Sequence, residues 1–131
     1  MPRAAKPAVL LVEDDQDLAE LYRLQLEQAG WGVRVAASAQ AALDELDKKG
    51  VGVIVLDILL PQVNGLSVVH QLRSYEDWRH IPVIIFSNLA PRDLGITPAV
   101  LSRLGVKAYL EKGTTSARAL VEAVKEASGQ L

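Results

Sequence analysis

Four places in the sequence carry side chains able to handle a phosphoryl group or a divalent cation: the acidic run Glu13-Asp14-Asp15, the isolated carboxylate Asp57, the hydroxyl of Ser87 and the ammonium of Lys112. Crowded carboxylates repel one another and raise their own pKa values unless a cation offsets the charge. Oxygen ligands in that number suit Mg²⁺ or Mn²⁺. Magnesium keeps several waters and uses few protein oxygens, which leaves coordination positions for a phosphoryl group. An aspartate carboxylate can attack phosphorus and hold the phosphoryl as an acyl phosphate. Lys112 would supply positive charge and Ser87 a hydroxyl for the incoming oxygens. Singly, each has a plainer role: Asp57 as a loop cap, Ser87 as a strand-end cap, Lys112 as a solvated surface lysine. The elements that carry them decide between the two.

Asp57 ends Val51-Gly-Val-Ile-Val-Leu56, an uncharged and largely β-branched run that suits a central strand buried on both faces. Ala8 to Val12 is a second such run and leads into Glu13. Gly32 to Ala36 alternates, as expected of a strand at a sheet edge. Ile81 to Phe86 forms a fourth strand ending at Ser87, and Ala108 to Leu110 a short fifth one before Lys112.

Helical spacing fills the intervals. Leu18, Leu21, Tyr22, Leu26 and Ala29 mark an inward stripe from Gln16 to Ala29, with Asp15 as a cap and Gly30 as the stop. Ser38 caps a helix through Lys49, with Ala41, Ala42, Leu43 and Leu46 inward. Pro61 and Asn64-Gly65 mark a loop, and Leu66 to Tyr75 a third helix with Leu66, Val69 and Leu72 inward. Residues 89–97, punctuated by Pro91 and Gly95, have no clear pattern. Thr97 and Pro98 then launch a helix to Leu104. Thr115 or Ser116 starts a last helix with Ala117, Leu120, Val121 and Val124 on one face.

Strands alternating with helices specify a doubly wound, three-layer α/β domain, because parallel neighbours need helical crossovers. The edge character of the second strand favours the flavodoxin-like order 2-1-3-4-5, whose switch point lies between strands 1 and 3. Those two strands end in Glu13-Asp14 and Asp57. Glu13, Asp14, Asp57, Ser87 and Lys112 are therefore expected in one crevice.

The chain has 131 residues, enough for one domain with a genuine core, expected over residues 8–128 behind a disordered lead of residues 1–7. A net charge of −2 without any basic block argues against direct nucleic-acid or membrane binding. The absence of cysteine rules out disulfides and thiolate metal sites and fits a reducing compartment. No run approaches the ~20 apolar residues that span a bilayer, so a cytoplasmic location is expected. Trp31 and Trp78 are assigned structural or partner-facing roles. His70 and His80 stand apart from any cluster of metal ligands.

The acidic pair Glu13-Asp14, the segment Asp57-Ile-Leu-Leu-Pro61 through Asn64-Gly65, Phe-Ser87-Asn, and Tyr109-Leu-Glu-Lys112 together resemble the receiver domain of two-component response regulators, over nearly the whole chain. The resemblance implies phosphoryl transfer from a sensor histidine kinase or phosphotransfer protein onto Asp57. Mg²⁺ would be held by Asp14, Asp57 and the backbone carbonyl of Leu59, with Glu13 acting through a metal-bound water. Ser87 and Tyr109 would be switch residues, although an aromatic on a short strand can equally be core filling. Such a protein is a switch rather than an enzyme, catalysing only its own phosphorylation and dephosphorylation. Its output partner is unknown, and it would be a monomer or a phosphorylation-dependent dimer. The chain departs from the family at Gly113, where a proline usually follows the lysine.

Three rivals make different demands. A flavodoxin-type carrier would need hydroxyls and glycines after the first strand to cradle a flavin phosphate, where Glu13-Asp14-Asp15 would repel it. A metal-dependent phosphohydrolase needs a second acid near the nucleophile, and the apolar Leu59 occupies the usual position. A degenerate receiver, acting as a phosphorylation-independent interaction module, would have lost the acid pair, the aspartate or the lysine. This chain has all of them.

Overall fold

The computed structural model describes residues 7–61 and 63–129. Five parallel strands form the sheet: β1 (Ala8–Val12), β2 (Val33–Ala36), β3 (Val51–Leu56), β4 (Val83–Ser87) and β5 (Val106–Glu111). Their order is β2-β1-β3-β4-β5, as the switch-point argument requires. Five helices connect and follow them: α1 (Gln16–Gln28), α2 (Ala39–Asp47), α3 (Gly65–Ser74), α4 (Pro98–Arg103) and α5 (Ala117–Ala127). The expected disordered lead falls, apart from Pro7, outside the described residues. No helix among the described residues is long and apolar enough to cross a membrane.

The sheet separates two apolar clusters. Leu10, Val12, Ile54, Leu56, Val83 and Ile85 point to one face, with α2 and α3 contributing Ala42, Leu46, Val69 and Leu72. Their sequence neighbours Val9, Leu11, Val53, Val55, Ile84 and Phe86 point to the other, against Ala19 and Leu26 of α1 and Leu120 and Val124 of α5. Side chains do alternate along each strand, but both faces are dry, so the sequence shows no alternation. Trp31 is buried in the second cluster, which settles its structural role, while Trp78 is half-buried against the first.

Several local expectations need correction. On α1 the inward stripe is narrower than the spacing suggested: Leu21 and Ala29 are exposed and Ala19 is buried instead. Helix α2 stops at Asp47, because Lys49 and Gly50 both adopt positive φ (64° and 90°) and end the helical path two residues early. Strand β4 starts at Val83 rather than Ile81 and includes Ser87. Strand β5 is twice the expected length, extended by Val106-Lys107 and Glu111: Val106 and Glu111 pair with Val83 and Ser87 of β4, and Lys107 is carried between Val106 and Ala108 at a register shift. Residues 91–94 form one 3-10 turn, closed by Gly95 at φ 67°.

Asn64-Gly65 is not merely a loop signal. Asn64 Oδ1 accepts the Leu66 N–H at 2.8 Å and caps α3, and Gly65 is the helix's first residue. A Cβ on Gly65 would lie 2.6 Å from Cα of Ile58 and 2.8 Å from the Asp57 carbonyl. Only glycine lets the helix start this close to the end of β3. The segment between is a two-residue antiparallel ladder, Leu59–Leu60 with Val63–Asn64.

Candidate functional site

Each chemical side chain follows or ends a strand at the same edge of the sheet. Backbone bonds fix their levels: Glu13 N–H donates to Ala36 O, Asp57 N–H to Val12 O, and Lys112 N–H to Ser87 O at 2.9 Å. The carboxylates of Glu13, Asp14 and Asp57 converge, each offering an oxygen within 4.8 Å of the others. Glu13 and Asp57 are nearly buried at 3% and 6% exposure, whereas Asp14 is open to solvent.

Lys112 reaches into this group and joins two of its members. Its Nζ donates to Asp57 Oδ2 at 2.8 Å and to Glu13 Oε1. The Lys112 ammonium lies over Phe86, with Nζ 5.8 Å from the ring centroid, and Phe86 is itself met edge-on by Tyr22 at 4.9 Å. The ammonium is therefore aimed by packing on β4 and α1 as well as by its own strand, with Gly113 exposed and contacting nothing that a side chain would meet. Asp57 Oδ1 accepts the Leu59 N–H at 2.9 Å, and Glu13 Oε2 accepts the Asp15 N–H at 3.2 Å. Every oxygen of the two buried carboxylates thus has a donor, as buried charge demands.

Burial pushes the Glu13 carboxyl above its ordinary range, against the opposing pull of the Lys112 hydrogen bond. For Lys112 burial acts to lower the pKa, but the hydrogen bonds to Asp57 and Glu13 together outweigh it and the ammonium is held above its ordinary value. The site is thus a near-buried +1/−2 cluster with a third acid at its mouth. That donor set fits a small divalent cation: hard oxygen ligands, surplus negative charge and one ligand facing water.

A second chain of contacts starts at Ser87. Its side chain is fully buried, its Oγ accepts the Leu89 N–H at 3.3 Å, and the Leu89 carbonyl accepts the Tyr109 hydroxyl at 2.6 Å. Tyr109 is half-buried against the first core cluster, and burial raises its phenol pKa. Ser87 and Tyr109 are therefore coupled through Leu89 of the β4–α4 loop, and their side chains also lie near enough for Ser87 to oppose the rise of the Tyr109 phenol pKa.

Over residues 9–125 the sequence matches the response regulator receiver domain. The chain belongs to this family. Among curated relatives, the sensory transduction protein RegX3 of Mycobacterium bovis is 34% identical over 118 residues, 90% of this chain but 49% of that protein. The chain thus spans about half the length of this relative. Among solved structures, a sensor protein from Polaromonas aligns with TM-score 0.86 and 26% identity, covering 95% of this chain and 98% of that one. The receiver domain of a Francisella response regulator aligns with TM-score 0.81 and 27% identity, covering 95% and 98%. The molecule is a response regulator receiver domain of two-component signalling. Retention and convergence of Glu13, Asp14, Asp57 and Lys112 leave the degenerate-receiver alternative without support.

Sequence reasoning found the acids, the lysine, the serine and the tyrosine, but not the residues that hold them. Phe86 and Tyr22 looked like ordinary core, and no local pattern marks an aromatic as the face beneath a lysine ammonium. Arg73 was missed as well. From the last turn of α3 it donates to the carbonyls of Leu104 at 2.6 Å, Arg79 at 2.7 Å and Ile81 at 3.0 Å, with longer contacts to Trp78 and Gly105 at 3.4 Å. Burial lowers its pKa, since no carboxylate faces it among the described residues.

Proposed function

We propose that this receiver accepts a phosphoryl group on Asp57 from a phosphohistidine of a sensor histidine kinase or phosphotransfer protein, with Mg²⁺ as cofactor. The observation that carries the reading is the convergence of Glu13, Asp14 and Asp57 on one point beside the Lys112 ammonium. Asp14, Asp57 and the Leu59 carbonyl would hold the metal, with Glu13 acting through a bound water. When bound, the metal supplies positive charge that lets an anionic phosphoryl approach an anionic acceptor.

The chain's own residues account for the rest. An Asp57 oxygen forms the new O–P bond as the P–N bond of the donor breaks, and the imidazole leaves with the electron pair. Lys112, already on Asp57 Oδ2, exchanges that partner for a phosphoryl oxygen without leaving the site. The Ser87 hydroxyl, which in this state accepts from Leu89 N–H, turns to donate to another phosphoryl oxygen. The protein then acts as a switch that catalyses only its own phosphorylation and dephosphorylation, in the cytoplasm, and passes the signal to an output partner. Direct nucleic-acid and membrane contacts form no part of this reading, and the phosphorylated form is either monomeric or a dimer.

The test is incubation with acetyl phosphate and Mg²⁺, followed by intact mass. One added phosphoryl is expected in the wild type and none in Asp57→Asn, while chelation of Mg²⁺ should abolish the modification of the wild type. Equal modification of Asp57→Asn would remove Asp57 as acceptor.

A further inference from the structure

At the opposite end of the sheet from Asp57, a cavity of ≈ 600 Å³ opens between the end of α2 and the loop joining α3 to β4. Its aromatic wall is Tyr75, half-exposed, with Trp78 at 4.8 Å between ring centroids. Three carboxylates, Asp47, Glu76 and Asp77, line it against one lysine, Lys49, and one histidine, His80, and none of the three carboxylates forms an ion pair among the described residues. Adjacent electron-rich rings, tilted 49° to each other and bordered by carboxylates without an ion pair among the described residues, favour a guanidinium or ammonium guest.

Both walls are fixed in advance. Arg73 holds the carbonyls of Trp78, Arg79 and Ile81, and so freezes the loop that carries Trp78. Arg34 does the same across the cavity, donating to Lys49 O at 2.6 Å and Glu45 O at 3.4 Å. A cavity whose backbone is clamped on two sides meets a guest without having to order itself first.

The start of β1 lies beside this cavity. Ala8 N–H donates to Gly50 O at 2.7 Å, and Pro7 packs so close over Gly52 that a Cβ there would collide with its ring. Gly50 and Val51 are themselves cavity residues. The segment before Pro7 carries two cations, Arg3 and Lys6, and no acid. Lys6 adjoins the described chain, and Arg3 lies four residues from Pro7, a reach of up to about 14 Å at ~3.5 Å per residue. Tethering makes the encounter intramolecular and raises the effective concentration of the guest to the millimolar range or above.

We propose that the cavity framed by Tyr75 and Trp78 is a docking site for the basic segment of residues 1–6, with Arg3 or Lys6 against the aromatic pair and the carboxylates around it. The site is independent of phosphorylation chemistry and is present equally in Asp57→Asn.

The experiment compares the wild-type chain with an Arg3→Ser/Lys6→Ser variant by amide and indole NMR, with Trp78→Phe used to assign the two indole signals. Losing the basic side chains should shift the Trp78 indole and the Tyr75 amide while leaving Trp31 unmoved. Glu76→Gln/Asp77→Asn should produce the same displacement, and adding the two sets of changes together should add no more. Raising salt well above 0.1 M, where charges are screened beyond about 10 Å, should move the wild type toward the variants. A synthetic peptide with the sequence of residues 1–7, added in excess to Arg3→Ser/Lys6→Ser, should return Trp78 toward its wild-type position. Unchanged Trp78 and Tyr75 signals on removing Arg3 and Lys6 would overturn the proposal, as would a Trp78 that responds only to an unrelated arginine-rich peptide, since the occupant would then be a partner.

Discussion

Lys112 occupies a position where its removal should be felt as much in stability as in signalling. Its side chain is 6% exposed and lies between Glu13 at 3% and Asp57 at 8%. Lys112→Met keeps an unbranched side chain but deletes the charge beside Phe86, leaving two buried carboxylates within 4.8 Å of each other and of Asp14. Removing one partner of a buried ion pair costs ~3–5 kcal/mol. For a domain of this size each kcal/mol lowers Tm by about 3 °C, so metal-free Lys112→Met should melt roughly 9–15 °C below wild type. The loss is smaller than the ~5–15 kcal/mol of typical domain stability, so the variant remains folded. Saturating Mg²⁺ should then raise the variant's Tm by more than it raises that of the wild type, because the cation replaces the missing positive charge. Lys112→Met/Asp57→Asn should recover part of the loss without metal. The measurement is thermal unfolding by circular dichroism at pH 7.5, with chelator and with Mg²⁺. The raised Lys112 pKa gives a second reading: its contribution is fully present below the ordinary lysine value near 10.5 and is lost as pH rises through the higher folded value. A metal-free Lys112→Met within 2 °C of wild type would refute the cluster as a stabilising element.

Glu13 should show the opposite linkage to an ordinary acid: because its folded pKa is raised above 4.5, the metal-free protein loses stability as pH rises through that folded value, and Glu13→Gln should flatten the dependence of the urea midpoint on pH; equal slopes would exclude it. Leu59, two residues after Asp57, is 46% exposed and offers no group to orient water, so hydrolysis of the acyl phosphate should be slow, and Leu59→Glu should speed phosphate release by up to about 10²-fold; an unchanged or slower rate counts against it. Arg73→Met leaves carbonyls of two loops without their donor and should lower stability by ~2–4 kcal/mol in urea titrations; a loss under 1 kcal/mol would show that water replaces the guanidinium. Tyr109→Phe removes one hydrogen bond to Leu89 O and should cost only ~1 kcal/mol of stability while reducing the difference in partner binding between phosphorylated and unphosphorylated protein; an unaltered difference would detach Tyr109 from the switch.

The sheet and the acids were legible in the sequence for one physical reason. A strand buried on both faces excludes polar side chains, so Asp57 after Val53-Ile-Val-Leu56, and Glu13 after Val9-Leu-Leu-Val12, could only mark the point where the apolar strand ends and a polar site begins. Cap chemistry was equally readable: Asp15, Ser38, Thr97 and Ser116 each accept a backbone N–H at the start of a helix. What stayed hidden depends on contacts between distant segments. Arg73 is one more basic residue near a helix end until the fold brings Leu104 and Ile81 to it. Gly65 looks like turn punctuation until α3 is packed on Ile58. The length of β5 was hidden because Glu111 gains strand structure from pairing with Ser87 of β4, not from its own propensity, and Lys107 is carried along at the register shift between two paired residues.

The arrangement around Ser87 changes how switching should be pictured. An outward tyrosine that swings in after phosphorylation would require vacant space beside β4, yet Tyr109 is already half-buried, with its hydroxyl on the Leu89 carbonyl. Ser87 and Lys112 share a backbone bond, and Ser87 pairs with Glu111 across the β4–β5 register, so neither can move far as a strand residue. The freedom lies one step further on, in Leu89, which is bonded to Ser87 through its N–H and to Tyr109 through its carbonyl. If the Ser87 hydroxyl turns to donate to a phosphoryl oxygen, the Leu89 N–H partner changes and the loop leading to α4 is redistributed with it. Shifting a two-state loop from 1:99 to 99:1 requires ~5.5 kcal/mol of differential binding. Two charge-assisted bonds of ~1.5–3 kcal/mol each, from Ser87 and Lys112, supply at most about that much, and the Lys112 bond replaces one it already makes to Asp57. The receiver should therefore populate both loop states before phosphorylation, and the phosphoryl should tilt that equilibrium rather than create the active surface from nothing.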